Sequence, residues 1–202
     1  MQSLIAFLPV VMVLVLVPGA NNLVVIRETI AAGPRGGRLA TAGTSLGILV
    51  WALAVAAGLG VVLQANPRVW VALQLLGAAS LVGLGLLSML RSGAATSRAA
   101  ERRPGAGSFV PALLTALVNP RAGIVAVSLL PQFVGPGQDP AATTLVLGLA
   151  WASMAGAWNL VGVQLVDRSR GWFAGRRGRR TTDLVSGGFL VAIGLSSGWS
   201  AL

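Results

Sequence analysis

The stretch LVLVPGANNLVVI, residues 14–26, places a proline, a glycine and two asparagines in the middle of an apolar run. Pro18 has no N–H and therefore frees the helical carbonyl four residues earlier, while Gly19 adds flexibility at the same point. Asn21 and Asn22 carry amide groups to a depth where lipid offers no hydrogen-bond partner, so they must face protein, substrate or water. The stretch predicts a membrane helix that is either opened toward a substrate or kinked around locally bonded asparagines.

A second stretch of the same kind, Asn119-Pro120-Arg121, interrupts the apolar run from Phe109 to about Val134. Pro120 frees the carbonyl of Ala116 and biases the residue before it away from helical dihedral angles. A half-helix that begins near Pro120 directs its N-terminal N–H groups into the bundle, where they suit a carboxylate. Arg121 is expected to face the interior or to reach an interface, and either a substrate or gating role or a topological or salt-bridge role fits it.

Composition places the whole chain, residues 1–202, in the membrane as a single transmembrane domain. Apolar residues make up 55% and charged residues 10%, with a mean hydropathy of +0.81, whereas soluble domains carry about 25% charged residues. The chain has no cysteine and no histidine, which excludes disulfides, thiolate nucleophiles, imidazole bases and the usual transition-metal sites. We therefore expect no catalytic residues, no metal site, no cofactor and no enzymatic activity.

Six runs are long and apolar enough to span a bilayer. These spans are about Leu4–Ile26, Leu39–Leu63, Val69–Leu90, Phe109–Val134, Ala142–Val166 and Leu184–Leu202. The gaps after the first, third and fifth spans contain three, four and six of the 15 arginines. The positive-inside rule places these gaps in the cytoplasm and both termini outside, and it accounts for the net charge of +10 without a nucleic-acid partner.

The two halves of the chain share sequence patterns that indicate an internal repeat. The pair Trp-Ala at 51–52 recurs at 151–152, and the first and fourth spans each contain a proline break. The first repeat covers about residues 1–90, a linker covers 91–108, and the second repeat covers about 109–202. Because each repeat has three spans, the second enters the membrane from the opposite side, as in many secondary transporters.

Polar residues elsewhere in the spans have simpler explanations. Glu28 is the acidic residue nearest to the first break, and it can form an ion pair with Arg27 or Arg121, or carry a proton if it is partly buried. The ion pair is the simpler interpretation. Asn159 and Gln164 are expected to form hydrogen bonds between helices.

Small residues at four-residue spacing predict close helix contacts in lipid. The pairs are Gly43 with Gly47, Ser153 with Ala157, and Gly194 with Gly198. The six tryptophans are expected to serve as interface anchors or as packing.

Taken together, these motifs resemble the LysE/RhtB family of small bacterial amino-acid exporters. The resemblance rests on PGANN at 18–22, NPR at 119–121, LPQF at 130–133, and the turn-rich loop 33–37 that leads into the second span. It covers the whole chain, in order and at the family's length. Two positions depart from the family pattern: Ala20 stands where a second proline is usual, and Arg121 where a lysine is usual, which keeps the charge but changes its geometry.

The resemblance implies export of amino acids or close derivatives, driven by proton exchange, from a bacterial cytoplasmic membrane. It also implies a central substrate site formed by Pro18, Gly19, Asn21, Asn22, Asn119, Pro120 and Arg121, with Glu28 as the candidate for proton coupling. The partners are then an amino-acid substrate, protons and the lipid bilayer, with a homo-oligomer left open. Because no acid lies deep in a span, neutral substrates are favoured over lysine. Export of another small metabolite and a non-transporting scaffold role are the alternatives.

Overall fold

The computed structural model describes residues 2–17, 19–58 and 107–169, with scattered helical positions between 61 and 89 and between 184 and 199. The described residues are helical and include no strand. In the part of the chain that the structure describes, two helices are long and apolar enough to cross a membrane, and a bent pair provides a third candidate span. These findings confirm the predicted helical class for the described part of the chain and support its placement in a membrane. Only scattered positions of the third and sixth spans are described and most of the linker lies outside the described residues, so the six-helix repeat stays a prediction.

The first break lies between helix α1 (Gln2–Leu16) and helix α2 (Ala20–Ala56). A turn-rich loop was expected at residues 33–37, but α2 runs through this segment, and only Gly33 leaves helical geometry, with φ 81° and ψ −177°. Glycine has no side chain to clash at this positive φ, and Pro34 suits the first turn of the helix that resumes after it. One residue therefore replaces the expected loop.

Gly33 divides α2 into a first arm, residues 20–32, and a second arm, residues 34–56. A Cβ added at Gly37 would overlap the Thr29 hydroxyl, although these residues would be about 12 Å apart along a straight helix. The chain thus turns back on itself at Gly33.

The predicted break in the fourth span is confirmed. Helix α3 (Phe109–Val118) ends at Asn119, and helix α4 (Pro120–Ile124) begins directly after it. The chain continues as one π-helical turn, Val125–Leu129, and a short 3-10 helix, Leu130–Phe133. The axes before and after the break differ by 57°. Asn119 has an extended backbone (φ −72°, ψ 108°), as a residue before proline favours.

Helix α3 packs against the second arm of α2 through glycine, as predicted. A Cβ at Gly47 would lie 2.5 Å from Ala116 Cβ, and one at Gly43 would overlap the Phe109 carbonyl oxygen. The missing side chains therefore allow the two backbones to approach closely.

Helix α5 (Pro140–Arg168) packs against the same arm of α2, but not through the predicted small pair. Ser153 and Ala157 lie on the exposed face. The buried contact is made instead by Gly148, where a Cβ would overlap Ala52, and by Ala152, whose carbonyl accepts a hydrogen bond from Ser45 Oγ at 3.4 Å. The prediction was wrong because the face of α5 that meets α2 is offset from the Ser153–Ala157 stripe.

The largest apolar core lies beside the two breaks. Helix α1 contributes Phe7, whose ring meets the edge of Phe133 with centroids 5.2 Å apart. The second arm of α2 and helix α5 contribute Trp51 and Trp151, both buried. This core fixes the end of α1 next to the break between α3 and α4.

Candidate substrate site at the two helix breaks

The two breaks lie side by side, joined by a hydrogen bond between asparagines. Asn119 Nδ2 donates to Asn21 Oδ1 at 3.0 Å, although the residues are separated by 98 positions in the chain. The Asn119 side chain is only 4% exposed, whereas Asn21 is half-buried. Two polar side chains from opposite halves of the chain therefore meet inside the apolar bundle.

The first break is an extended residue followed by a capped helix. Gly19 has φ −142° and ψ −175°, and its carbonyl accepts from the N–H groups of Asn22 and Leu23, both at 3.1 Å. The side chain of Asn22 also bonds to Gly19, since its Oδ1 accepts a hydrogen bond from the Gly19 N–H at 3.3 Å. Asn22 therefore closes the start of α2, and Asn21 remains directed toward Asn119. Pro18 lies outside the described residues.

The second break is closed by Asn119 itself. Its Oδ1 accepts from the Arg121 N–H at 3.1 Å, and its carbonyl accepts from the N–H groups of Ala122 and Gly123 at 3.0 and 3.2 Å. Pro120 has no N–H to offer. From the sequence, we expected this turn to present free N–H groups to a carboxylate. In this structure those N–H groups are bonded within the turn, because the residue before the proline serves as its N-cap.

Arg121 reaches across to the end of α1. Its Nη2 donates to the Leu14 carbonyl at 2.9 Å, and its Nη1 donates to the Val17 carbonyl at 3.2 Å. The Leu14 carbonyl is the one that loses its helical partner because residue 18 is proline. A Cβ at Gly19 would lie 3.1 Å from Nη1, so glycine leaves room for the guanidinium.

At the second break, Trp51 is the donor to the carbonyl that a proline frees, as Arg121 is at the first break. Its indole N–H donates to the carbonyl of Ala116 at 3.3 Å, which is the carbonyl that Pro120 leaves without a partner. Its ring edge lies against Gly123, where a Cβ would be 3.0 Å from Cη2. Sequence reasoning treated this tryptophan only as packing or an anchor. The sequence contained a clue to this role, because the carbonyl that a proline frees in one span needs a donor and a tryptophan in a neighbouring span carries an indole N–H.

Glu28 lies away from the breaks, on the first arm of α2. It is 6% exposed, and Ser108 Oγ donates to its Oε2 at 2.7 Å. The expected ion pair with Arg27 or Arg121 does not form among the described residues, because Arg121 is engaged by the α1 carbonyls. Ser108 precedes α3 and meets Glu28 where the chain turns at Gly33.

Asn159 and Gln164, the two amide residues of α5, differ in their burial. Asn159 is buried and donates to Thr44 Oγ1 at 3.5 Å, which confirms the predicted bond between helices. Gln164 is exposed. The described residues contain no group of three or more acidic, histidine or cysteine side chains that could hold a metal ion.

The fold and this site define an integral membrane protein whose two broken helices meet in its apolar interior. The family model described as "LysE type translocator" matches residues 12–198, and the chain belongs to this family. Members of this family are transporters. No solved structure matches the chain.

Three relatives illustrate the range of similar proteins. The uncharacterized membrane protein YrhP of Bacillus subtilis is 27% identical over 99% of this chain and 100% of its own length. An uncharacterized membrane protein of Pseudomonas aeruginosa is 33% identical over 88% of this chain and 85% of its own. The leucine efflux protein of Salmonella typhimurium is 32% identical over 60% of this chain and 58% of its own. Two of these relatives are membrane proteins without a stated substrate, and the third is described as a leucine efflux protein.

Proposed function

We propose that this protein exports amino acids or close derivatives from the cytoplasm by secondary-active transport, with its substrate site at the two helix breaks. The observation that carries the proposal is the hydrogen bond between Asn21 and Asn119, which joins the breaks inside the bundle. Broken helices that meet near mid-membrane are where such transporters bind substrates, because backbone donors and carbonyls become available there. A relative described as a leucine efflux protein supports an amino acid as the substrate.

The proposed site consists of Pro18, Gly19, Asn21, Asn22, Asn119, Pro120 and Arg121. The carbonyls of Leu14 and Val17 at the first break suit the ammonium group of an amino acid, whereas the carbonyl that Pro120 frees is bonded to the Trp51 indole. Arg121 supplies the positive charge for its carboxylate, and the asparagine pair supplies neutral donors and acceptors. Among the described residues no carboxylate borders the breaks, which favours substrates with neutral side chains.

The proposed architecture has six spans arranged as two inverted repeats of three. The protein then lies in the bacterial cytoplasmic membrane, with the arginine-rich gaps in the cytoplasm and both termini outside. Reporter fusions after Leu90 and Val166 are expected to report the cytoplasm, and fusions after Val134 and Leu202 the outside. The reverse pattern would contradict the orientation.

Proton antiport is the proposed energy source, and Glu28 is its proposed proton site. The carboxylate is buried, and its partner in the described part of the chain is a neutral hydroxyl. Ser108 connects this site to the start of α3, whose far end is the second break.

Export of amino acids from dipeptide-loaded cells tests the proposal. The protein would be expressed in bacteria that lack related exporters. The cells would be loaded with a panel of dipeptides, whose hydrolysis inside the cell releases amino acids. The concentration of each amino acid in the medium would then be measured over time. We expect faster efflux of one or a few amino acids. Asn119→Ala should abolish this efflux, whereas Asn159→Ala, at an equally buried asparagine away from the breaks, should retain most of it. No change for any amino acid would favour another metabolite or a scaffold role.

A further inference from the structure

Among the described residues, the guanidinium of Arg121 has two hydrogen-bond acceptors, and both are uncharged. They are the carbonyls of Leu14 and Val17, at the C-terminal end of α1. This end of a helix carries a partial negative charge, so it attracts a cation. In the part of the chain that the structure describes, Arg121 has no carboxylate partner, although its side chain is half-buried. A full positive charge is therefore balanced only by backbone dipoles.

The same geometry also places a cation where a substrate's ammonium group would bind. A freed carbonyl and a helix C-terminus form a natural site for an amine, and here the protein's own guanidinium occupies it. Gly19 permits this close approach, and Asn119 fixes the Arg121 backbone by accepting its N–H. The α1 carbonyls thus become available only when the guanidinium leaves them.

A carboxylate can draw the guanidinium away. Bonds from a guanidinium to a carboxylate are charge-assisted on both sides and form in parallel pairs, so they are stronger than bonds to neutral carbonyls. Once Arg121 turns to a carboxylate, the carbonyls of Leu14 and Val17 lose their donor. A carbonyl without a donor is costly inside a membrane, where lipid offers no replacement, and an ammonium group that carries three donors can replace the guanidinium.

We propose that Arg121 makes the site selective for zwitterions by exchange: the substrate's carboxylate takes the guanidinium while its ammonium takes the α1 carbonyls that the guanidinium leaves. A simple amine cannot displace the Arg121 guanidinium from the α1 carbonyls. A simple acid displaces it but leaves these carbonyls without a hydrogen-bond donor. The requirement for both charges on one molecule identifies the substrate class as free α-amino acids rather than amines, acids or blocked peptides. This inference rests on the proposed function and adds how the site selects its substrate.

Binding of one amino acid and its two half-analogues tests the exchange. The purified full-length protein in detergent would be titrated with L-leucine, 3-methylbutylamine and 4-methylpentanoate, with the unfolding midpoint and calorimetry as readouts. If the export panel names another amino acid, that amino acid would be used with its own amine and acid. We expect the wild type to bind the amino acid at least about tenfold more tightly than either analogue. Equal binding of the amine by the wild type would overturn the proposal.

Substitution of Arg121 separates the exchange from a purely structural role. Arg121→Met removes every side-chain donor and leaves the α1 carbonyls open, so we expect this variant to lose binding of the amino acid and gain binding of the amine. Arg121→Lys keeps the charge but cannot span two carbonyls with a planar fork, so its preference for the zwitterion should weaken without reversing. A folded Arg121→Met variant that gains no amine binding would contradict the proposal. If that variant does not fold, the lysine variant and the wild type decide.

Failure of the exchange can be distinguished from failure of the proposed function. If the protein exports an amino acid but binds the corresponding amine equally well, the function stands and the exchange is wrong. If it neither exports nor binds any amino acid, both proposals fall together.

Discussion

Replacing Trp51 by phenylalanine tests how the second break is held. The substitution keeps an aromatic ring in the core but removes the N–H that donates to the carbonyl of Ala116 at 3.3 Å. Ala116 is 0% exposed, so its carbonyl has no access to water after the change. An unpaired buried carbonyl costs about 1–3 kcal/mol, and measured bonds between membrane helices lie near the lower end, about 0.6–1.7 kcal/mol. We expect a loss of about 1–2 kcal/mol in the free energy of unfolding beyond the effect of ring volume.

Trp151→Phe provides the matched control for ring volume. Trp151 is buried in the same core cluster at 6% exposure and loses the same atoms, but its indole takes no part in the bond to Ala116. Equilibrium unfolding in mixed micelles, followed by circular dichroism, would give the free energy of each variant. Export by the same variants would show whether the break must be held in this way for transport.

A double-mutant cycle with Pro120→Ala tests the physical reason. Alanine at this position has an N–H that can donate to the Ala116 carbonyl, so the carbonyl no longer needs the indole. Trp51→Phe should therefore cost clearly less in the Pro120→Ala background than in the wild type. The reasoning would be refuted if Trp51→Phe cost no more than Trp151→Phe, or if its cost were the same in both backgrounds.

Three further predictions concern packing, the turn and proton coupling. Gly148→Ala should cost about 1–3 kcal/mol because its Cβ would overlap Ala52, whereas Gly162→Ala, with nothing within 4 Å of its Cβ, should leave the unfolding midpoint unchanged. Gly33→Ala should lower the free energy of unfolding by about 1–3 kcal/mol, because φ 81° with ψ −177° is a backbone conformation that favours glycine. Unfolding in micelles would measure the effects of the substitutions at Gly148 and Gly33. Glu28→Gln should keep the fold but make export insensitive to an imposed pH gradient; export that still follows the gradient would exclude this residue as the proton site.

The sequence predicted the breaks well because proline acts locally. Pro120 lacks an N–H in any environment, so an interruption at 119–120 could be placed to the residue, and the structure has it there. The close approach at Gly43 and Gly47 was also predictable, since small residues at this spacing have few other uses in a membrane helix.

The contacts that complete the candidate site could not be predicted, because they depend on tertiary geometry. Arg121 was expected to serve either a substrate or gating role or a topological or salt-bridge role. The backbone carbonyls that accept from it could not be foreseen, because every residue carries a carbonyl and no pattern marks one. Ser108 reaches Glu28 across 80 positions of the chain. The buried stripe of α5 was misplaced at Ser153 because lipid and protein interior are both apolar, so hydropathy alone does not tell the two faces of a span apart.

The central claim is that the two breaks act as one transport site. The most direct test is a double-mutant cycle on export, with Asn21→Ala, Asn119→Ala and the double variant compared at equal amounts of protein in the membrane. If the bonded asparagines act as a unit, each single variant should lose most of the export rate, and the double variant should be little worse than Asn119→Ala alone. Independent, additive losses, or full export by either single variant, would contradict the claim.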